Sequence, residues 1–190
     1  SLVRGRLGRR PLDGATLAFE LGYADQALQR SHEAMTLARE LSHPLLLAWA
    51  VDFGALIHRL RGEEQHTQER TEEAIAVACE YGFTHVVADA TTLRGWALVE
   101  QGRGEEGIPQ IHHGLAMSRT LGAELARTHN LALLAEAYGK VDQLAEGLTV
   151  LDEARELVHK NGERFWEAEL YRIKGELTLQ KFQVARSTFQ

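Results

Sequence analysis

The sequence predicts an all-α chain, a solenoid of stacked helix hairpins with about 40 residues in each. Three observations predict it. Turn residues recur in constant phase: Ser42, Gly82, Gly122 and Gly162 each close a helical run, 40 positions apart. Small residues keep the same ruler in three columns. These are Ala27, Thr67, Gly107 and Gly147; Ala34, Ala74, Gly114 and Ala154; and Ala15, Ala55, Gly95, Ala135 and Gly175. Between them the apolar residues follow a helical period, and no segment alternates as a half-buried strand does.

The expected helices are 11–20, 23–41, 44–61, 64–81, 84–101, 105–121, 124–139, 143–160 and 163–180. The first is the weakest, because "RGRLGRRPLDGA" does not read well as a helix of the array. The second carries Ala24, Ala27, Leu28, Ser31, Ala34, Met35, Ala38 and Leu41 on one face. Pro44 opens the third at a first-turn site, where its missing N–H costs no hydrogen bond. Val86, Ala90, Leu93 and Ala97 mark the fifth, and Pro109 lies near the start of the sixth. Leu144, Leu148, Leu151, Ala154, Leu157 and Val158 mark the eighth; Trp166, Leu170, Ile173 and Leu177 mark the last. The whole chain then reads as one helical repeat domain, with units 3–42, 43–82, 83–122 and 123–162 and a terminal helix 163–180. One hairpin cannot bury both its faces, so the units must stack.

"GRGEEG" at 102–107 matches a dinucleotide fingerprint in spacing alone. That fingerprint needs a strand before it and a helix after it. Here helix precedes it, Gly102 falls in the column of helix-ending glycines with Gly22 and Gly62, and Glu105 and Glu106 would repel a pyrophosphate. The glycines are read as turn and packing residues.

Net charge is −6, which argues against a nucleic-acid surface. Four arginines among the first ten residues are read as a solvated helix entry. Cys79 is the sole cysteine, so no intrachain disulfide forms and a reducing, cytoplasmic setting is expected. No apolar run is long enough to span a bilayer, and residues 1–30 lack the apolar core of a signal peptide. The abrupt ending on "KFQVARSTFQ" reads as part of something longer.

The columns place one small residue in the first helix of a unit, then two in the second, spaced 12 and 7 apart. This resembles tetratricopeptide (TPR) geometry, in a longer unit than usual. The segments "ELGYADQALQRSHEAMTLARELSHP", "LRGWALVEQGRGEEGIPQIHHGLAMSRTLGAELAR", "LALLAEAYGKVDQLAEGLTVLDEA" and above all "GERFWEAELYRIKGEL" resemble the C-terminal TPR region of bacterial AAA/STAND-type signalling ATPases. Those proteins often carry adenylate/guanylate cyclase domains. The resemblance implies a right-handed superhelix whose first helices line a concave groove. It implies no catalytic residue here, since no phosphate-binding G-x-x-x-x-G-K-[ST] is present.

On that geometry the groove residues are Trp49, Asp52, Leu56 and Arg59, then Asp89, Thr92, Trp96 and Val99 with Glu100. His129, Ala132, Glu136 and Gly139 follow, then Glu169, Arg172, Glu176 and Leu179. Trp49 and Trp96 read equally as groove anchors and as wedges between hairpins; Trp166 reads as inter-helix packing.

Metal ligands on one helix sit three or four residues apart, so adjacent His112 and His113, with His85 and His129, read as solvent-facing. Cys79 reads as a buried structural thiol. Carboxylates in "GEE", "GEEG" and "GER" read as helix N-terminal charges. No metal, cofactor or nucleophile–base pair is expected. The function expected is a non-catalytic module binding a protein or peptide in the groove, with a small-molecule effector sensor as the alternative. A homodimer through an uncapped end is a further expectation.

Overall fold

The computed structural model describes residues 22–122, 127–162 and 164–188. The expected helix 11–20 and the arginine-rich start lie outside them. Within the described residues there are eight helices and no strand. They are α1 (Ala24–Glu40), α2 (Pro44–Leu60), α3 (Glu64–Tyr81), α4 (Thr84–Glu100), α5 (Gly104–Thr120), α6 (Arg127–Lys140), α7 (Leu144–Asn161) and α8 (Glu167–Thr188).

Both turn columns end helices by one device. Ser42, Gly62, Gly82, Gly102, Gly122, Asp142 and Gly162 all have positive φ, between 48° and 74° for most and 80° at Gly102. The left-handed residue reverses the chain and lets the next amide reach back across the last turn. His43 bonds the Ala38 carbonyl, Glu63 that of His58, Phe83 that of Ala78, Arg103 that of Leu98 and Gln143 that of Tyr138. Gly102 is therefore a helix terminator. Asp142 and Ser42 accept the same conformation with short polar side chains. At the other end of a turn, His43 Nδ1 accepts from Leu46 N–H at 3.3 Å beside Pro44, capping α2.

Each helix packs on the next, and the even-numbered helices also pack on one another in the order α2, α4, α6, α8. The odd-numbered ones do not pack on each other; Arg39 of α1 reaches Glu73 of α3 only through its side chain, at 2.8 Å. The result is two layers. Even helices form an inner layer in which α2, α4 and α6 are covered nearly all round, with Gly95–Val99 and Thr128–Ala135 buried without a break, while α8 buries one stripe and exposes the rest. Odd helices form an outer layer with one face in solvent. The small-residue columns lie where the layers cross. A methyl group built on Gly95 would stand 2.7 Å from the Gly107 carbonyl oxygen, so these two glycines let α4 and α5 approach backbone to backbone. Gly175, in the same column as Gly95, meets nothing within 4 Å. Among the described residues no helix crosses it.

The core runs along the array as three contiguous clusters. Met35, Leu46, Val51 and Val86 centre the first. Leu93, Trp96, Ile111 and Leu133 centre the second. The third holds Leu144, Leu151, Leu170, Ile173 and Leu177.

Two expectations are corrected. Cys79 is exposed. Thr71, Ala74 and Ala78 set the buried stripe of α3, and one further residue rotates the side chain about 100° away from it. The last helix starts at Glu167 and runs on to Thr188. Its start is delayed because Phe165 and Trp166 form the turn, and "KFQVARST" contains no breaker to end it. Pro109 lies inside α5 near its start, as expected, on an exposed position where water can serve the carbonyl left without a donor.

Candidate binding wall on the inner helices

The inner helices bring chemistry-bearing side chains together from four separate stretches of chain. Arg59, in the last turn of α2, is the centre. Its Nη2 donates to Glu136 Oε2 at 3.0 Å and lies 3.6 Å from Glu169 Oε1. Its guanidinium stands 5.3 Å over the Trp96 ring. Trp96 Nε1 donates to the same Glu136 Oε2 at 2.8 Å. Arg172 closes the far side, donating to Glu136 Oε1 at 3.1 Å, twice to Glu169 at 2.8 Å, and to Glu176 at 2.7 Å. Two guanidinium groups thus face three carboxylates across α2, α6 and α8, with Trp96 of α4 between them. Hydrogen bonds and charge from Arg172 hold the Glu169 carboxyl below its usual range, and Glu169 raises Arg172 in return. At the rim Lys140 donates to Glu100 at 2.7 Å, again one ruler step apart.

A second group lies beside it. His129 is buried, and its ring stacks on Trp166 with centroids 4.2 Å apart. Burial, then the charge of Arg59, pushes His129 well below 6.5, so it is neutral at neutral pH. Asp52 of α2 and Asp89 of α4 form a carboxylate pair. Burial raises Asp52 well above 3.8, and Asp89 raises it further. Burial raises Asp89 too, against the hydrogen bond from Asn130 Nδ2 at 3.3 Å and the charge of His85. Asp52 Oδ1, Arg59 Nε and His129 Nε2 are buried with no hydrogen-bond partner among the described residues.

The sequence expectation of an open groove is corrected here. Asp52, Arg59, Thr92, Trp96 and His129 are buried, and Asp89 is half-buried. The inner helices sit close enough that long side chains of one fold over the next and satisfy each other. Thr92 leaves the wall altogether: its hydroxyl bonds the Ala88 carbonyl at 3.1 Å, and its side chain abuts Gly114 of α5. Val99 likewise packs on Gly107. Trp49, Leu56, Glu100, Glu136 and Glu169 are half-buried, while Arg172, Glu176 and Leu179 are exposed. Trp49 rests against Phe53 at 6.1 Å and on the first core cluster. Trp166 packs between elements, as the sequence suggests.

Other histidines divide. His85, His112 and His113 are exposed, and His112 Nε2 meets the Tyr138 hydroxyl at 2.9 Å. The sequence reading missed a different set: His58, Glu63 and His66, whose ligand atoms all lie within 4.8 Å of one another. Their spacings of five and three residues straddle a turn, so no single-helix spacing rule reveals them. Away from the inner wall, a cleft of about 440 Å³ opens between α5, α6 and α7, lined among others by Leu115, Leu131, Val150, Arg119 and Glu153.

Solved structures share this fold. The nearly identical TPR-like repeats of a candidate kinesin light chain from Podosopora anserina superpose with a TM-score of 0.60 at 16% identity, over 97% of this chain and 93% of that one. The apo form of RapI gives 0.67 at 13%, over 95% of this chain and 69% of that one. Aspartyl phosphate phosphatase F from Bacillus subtilis gives 0.67 at 11%, over 97% of this chain and 51% of that one. At such identities the likeness is one of fold, a TPR-like array of helix hairpins. No protein-family model and no curated protein sequence matches the chain.

Proposed function

We propose that this chain is a non-catalytic interaction module of a larger bacterial signalling protein, working in the cytoplasm and holding a peptide or protein segment along its inner helices. The observation that carries this reading is the Arg59–Trp96–Glu136–Arg172 network. It joins four helices into one prearranged surface and leaves charged and aromatic groups of both characters at the rim, Arg172 and Glu176 at one end and Trp49 at the other. A surface ordered in advance loses little entropy when a partner docks. Aromatic and arginine side chains are the usual energetic anchors of such contacts. An attached ATPase or cyclase rests on the sequence resemblance of "GERFWEAELYRIKGEL". Pairing of two copies has its support in the exposed Tyr171, Leu179 and Phe182 of α8, which flank the accessible Gly175.

The test is selection of peptides from a display library on the full chain, followed by affinity measurement on Trp49→Ala and Arg172→Ala variants. The expected result is affinity lower by about tenfold or more in each, with helical circular dichroism unchanged. Peptides that bind both variants as they bind the parent would overturn the assignment of the inner wall. The second reading, a small-molecule effector sensor, draws on the cleft between α5, α6 and α7. Its volume suits a metabolite, and it combines apolar walls with Arg119 and Glu153.

A further inference from the structure

We propose that His58, Glu63 and His66 bind a divalent transition-metal ion, with Zn²⁺ as the reference ion, across the turn between α2 and α3. His58 lies in the last turn of α2, Glu63 is the residue that precedes α3, and His66 is in its first turn. His58 forms the buried floor, Glu63 the half-buried wall and His66 the exposed rim. His58 Nδ1 is already 2.6 Å from Glu63 Oε2. The His66 ring lies nearly parallel to that of His58, 5.2 Å away and tilted 18°. Being exposed, His66 can turn about its side-chain bonds to bring its nitrogen onto a shell of about 2 Å around an ion held by the other two. Two imidazoles and one carboxylate suit zinc, cobalt, nickel or copper better than calcium or magnesium, which prefer all-oxygen sets.

The surrounding charges permit it. Arg61 Nε donates to Glu63 Oε1 at 2.7 Å. It thereby fixes the carboxylate and leaves Oε2 directed at His58, the outer-shell arrangement that orients metal ligands. Arg61 also pairs with Asp25, and Arg70 with Glu73, so both nearby cations have carboxylate partners.

The repeat itself supplies the control. The same turn recurs 40 and 80 residues later with Leu98, Arg103 and Glu106, then with Tyr138, Gln143 and Glu146, in the three positions. The backbone closes alike in all of them: Glu63 N–H to the His58 carbonyl at 3.0 Å, Arg103 to Leu98 at 2.8 Å, Gln143 to Tyr138 at 2.9 Å. The turn forms without a histidine–glutamate–histidine set, so these three side chains are surplus to the fold. Three protein donors leave a fourth position for water or for a donor from a partner.

The experiment uses the full chain, stripped with a chelator, in calorimetric titration with Zn²⁺ and visible absorption with Co²⁺. One ion per chain is expected, with Co²⁺ ligand-field bands and a higher Tm in Zn²⁺. His66→Ala removes an exposed side chain, and Glu63→Gln keeps the size of the residue; each is expected to weaken binding by about tenfold or more. No binding at about 1 mM Zn²⁺, far above the range of a built site, would overturn the proposal. So would affinity unchanged in both variants, which would place the ion on other histidines.

Discussion

Asp52 shows how a single buried residue sets a cost that the rest of the array carries. Its carboxyl faces Asp89 of α4, which in turn takes the Asn130 amide of α6 and feels His85. The folded pKa of Asp52 is raised, whereas the unfolded chain titrates near 3.8. As pH rises above 3.8 the unfolded chain releases its proton first, so stability falls until the folded group has also ionised. Asp52→Asn is therefore expected to raise the unfolding free energy at pH 7, and to give no gain below about pH 4. Urea melts at the two pH values check this; equal stabilities at pH 7 would refute the burial assignment. In the sequence Asp52 and Asp89 stand 37 positions apart, off the 40-residue ruler, so nothing marked them as neighbours. By contrast Trp96 and Glu136 lie one ruler step apart, as do Glu100 and Lys140. These contacts were present in the pattern, but the small-residue columns alone do not reveal which side chains of the wall reach across to the next helix.

Among elements, the helix ends and crossings were the most legible part. Glycine at a helix end and small residues at a crossing are required by backbone geometry, which packing elsewhere cannot override. The paired glycines of α4 and α5 give a sharp test. A methyl on Gly107 would run into the Gly95 carbonyl oxygen and stand 2.6 Å from Val99 Cγ2. Gly107→Ala is expected to cost about 1–3 kcal/mol through overpacking. Gly175→Ala, in open space within a helix, is expected to stabilise by about 0.5–1 kcal/mol. Thermal unfolding of the two variants should move in opposite directions; a shift of the same sign would mean that the columns do not mark helix crossings. Less legible were positions set by rotation about a helix axis. Cys79 neighbours buried Ala78, and apolar composition around it concealed that it faces outward. The delayed start of α8 leaves Trp166 in the turn, stacked on His129, a contact 37 positions apart that periodicity does not encode.

For the whole molecule, the inner layer ties distant hairpins together. Arg59 and Glu136 are 77 positions apart in sequence, and their contact bridges α2 to α6 over the Trp96 ring of α4. Glu136→Gln would leave the Arg59 guanidinium with the longer contact to Glu169 and weaken the hold on Arg172. The expected loss is about 2–4 kcal/mol, because a buried cation left with only one longer contact is costly. Chemical denaturation measures it, and a loss below about 0.5 kcal/mol, the level of a surface pair, would show that the network is ornamental. The fold class was readable because each hairpin repeats the same local rules. The tightness of the inner layer was not, since it depends on how far the hairpins rotate relative to one another. That tightness has a mechanical reading. A guanidinium competing for Glu136 would undo the clasp between α2 and α6, while α4, packed on both, would still hold the hairpins in order.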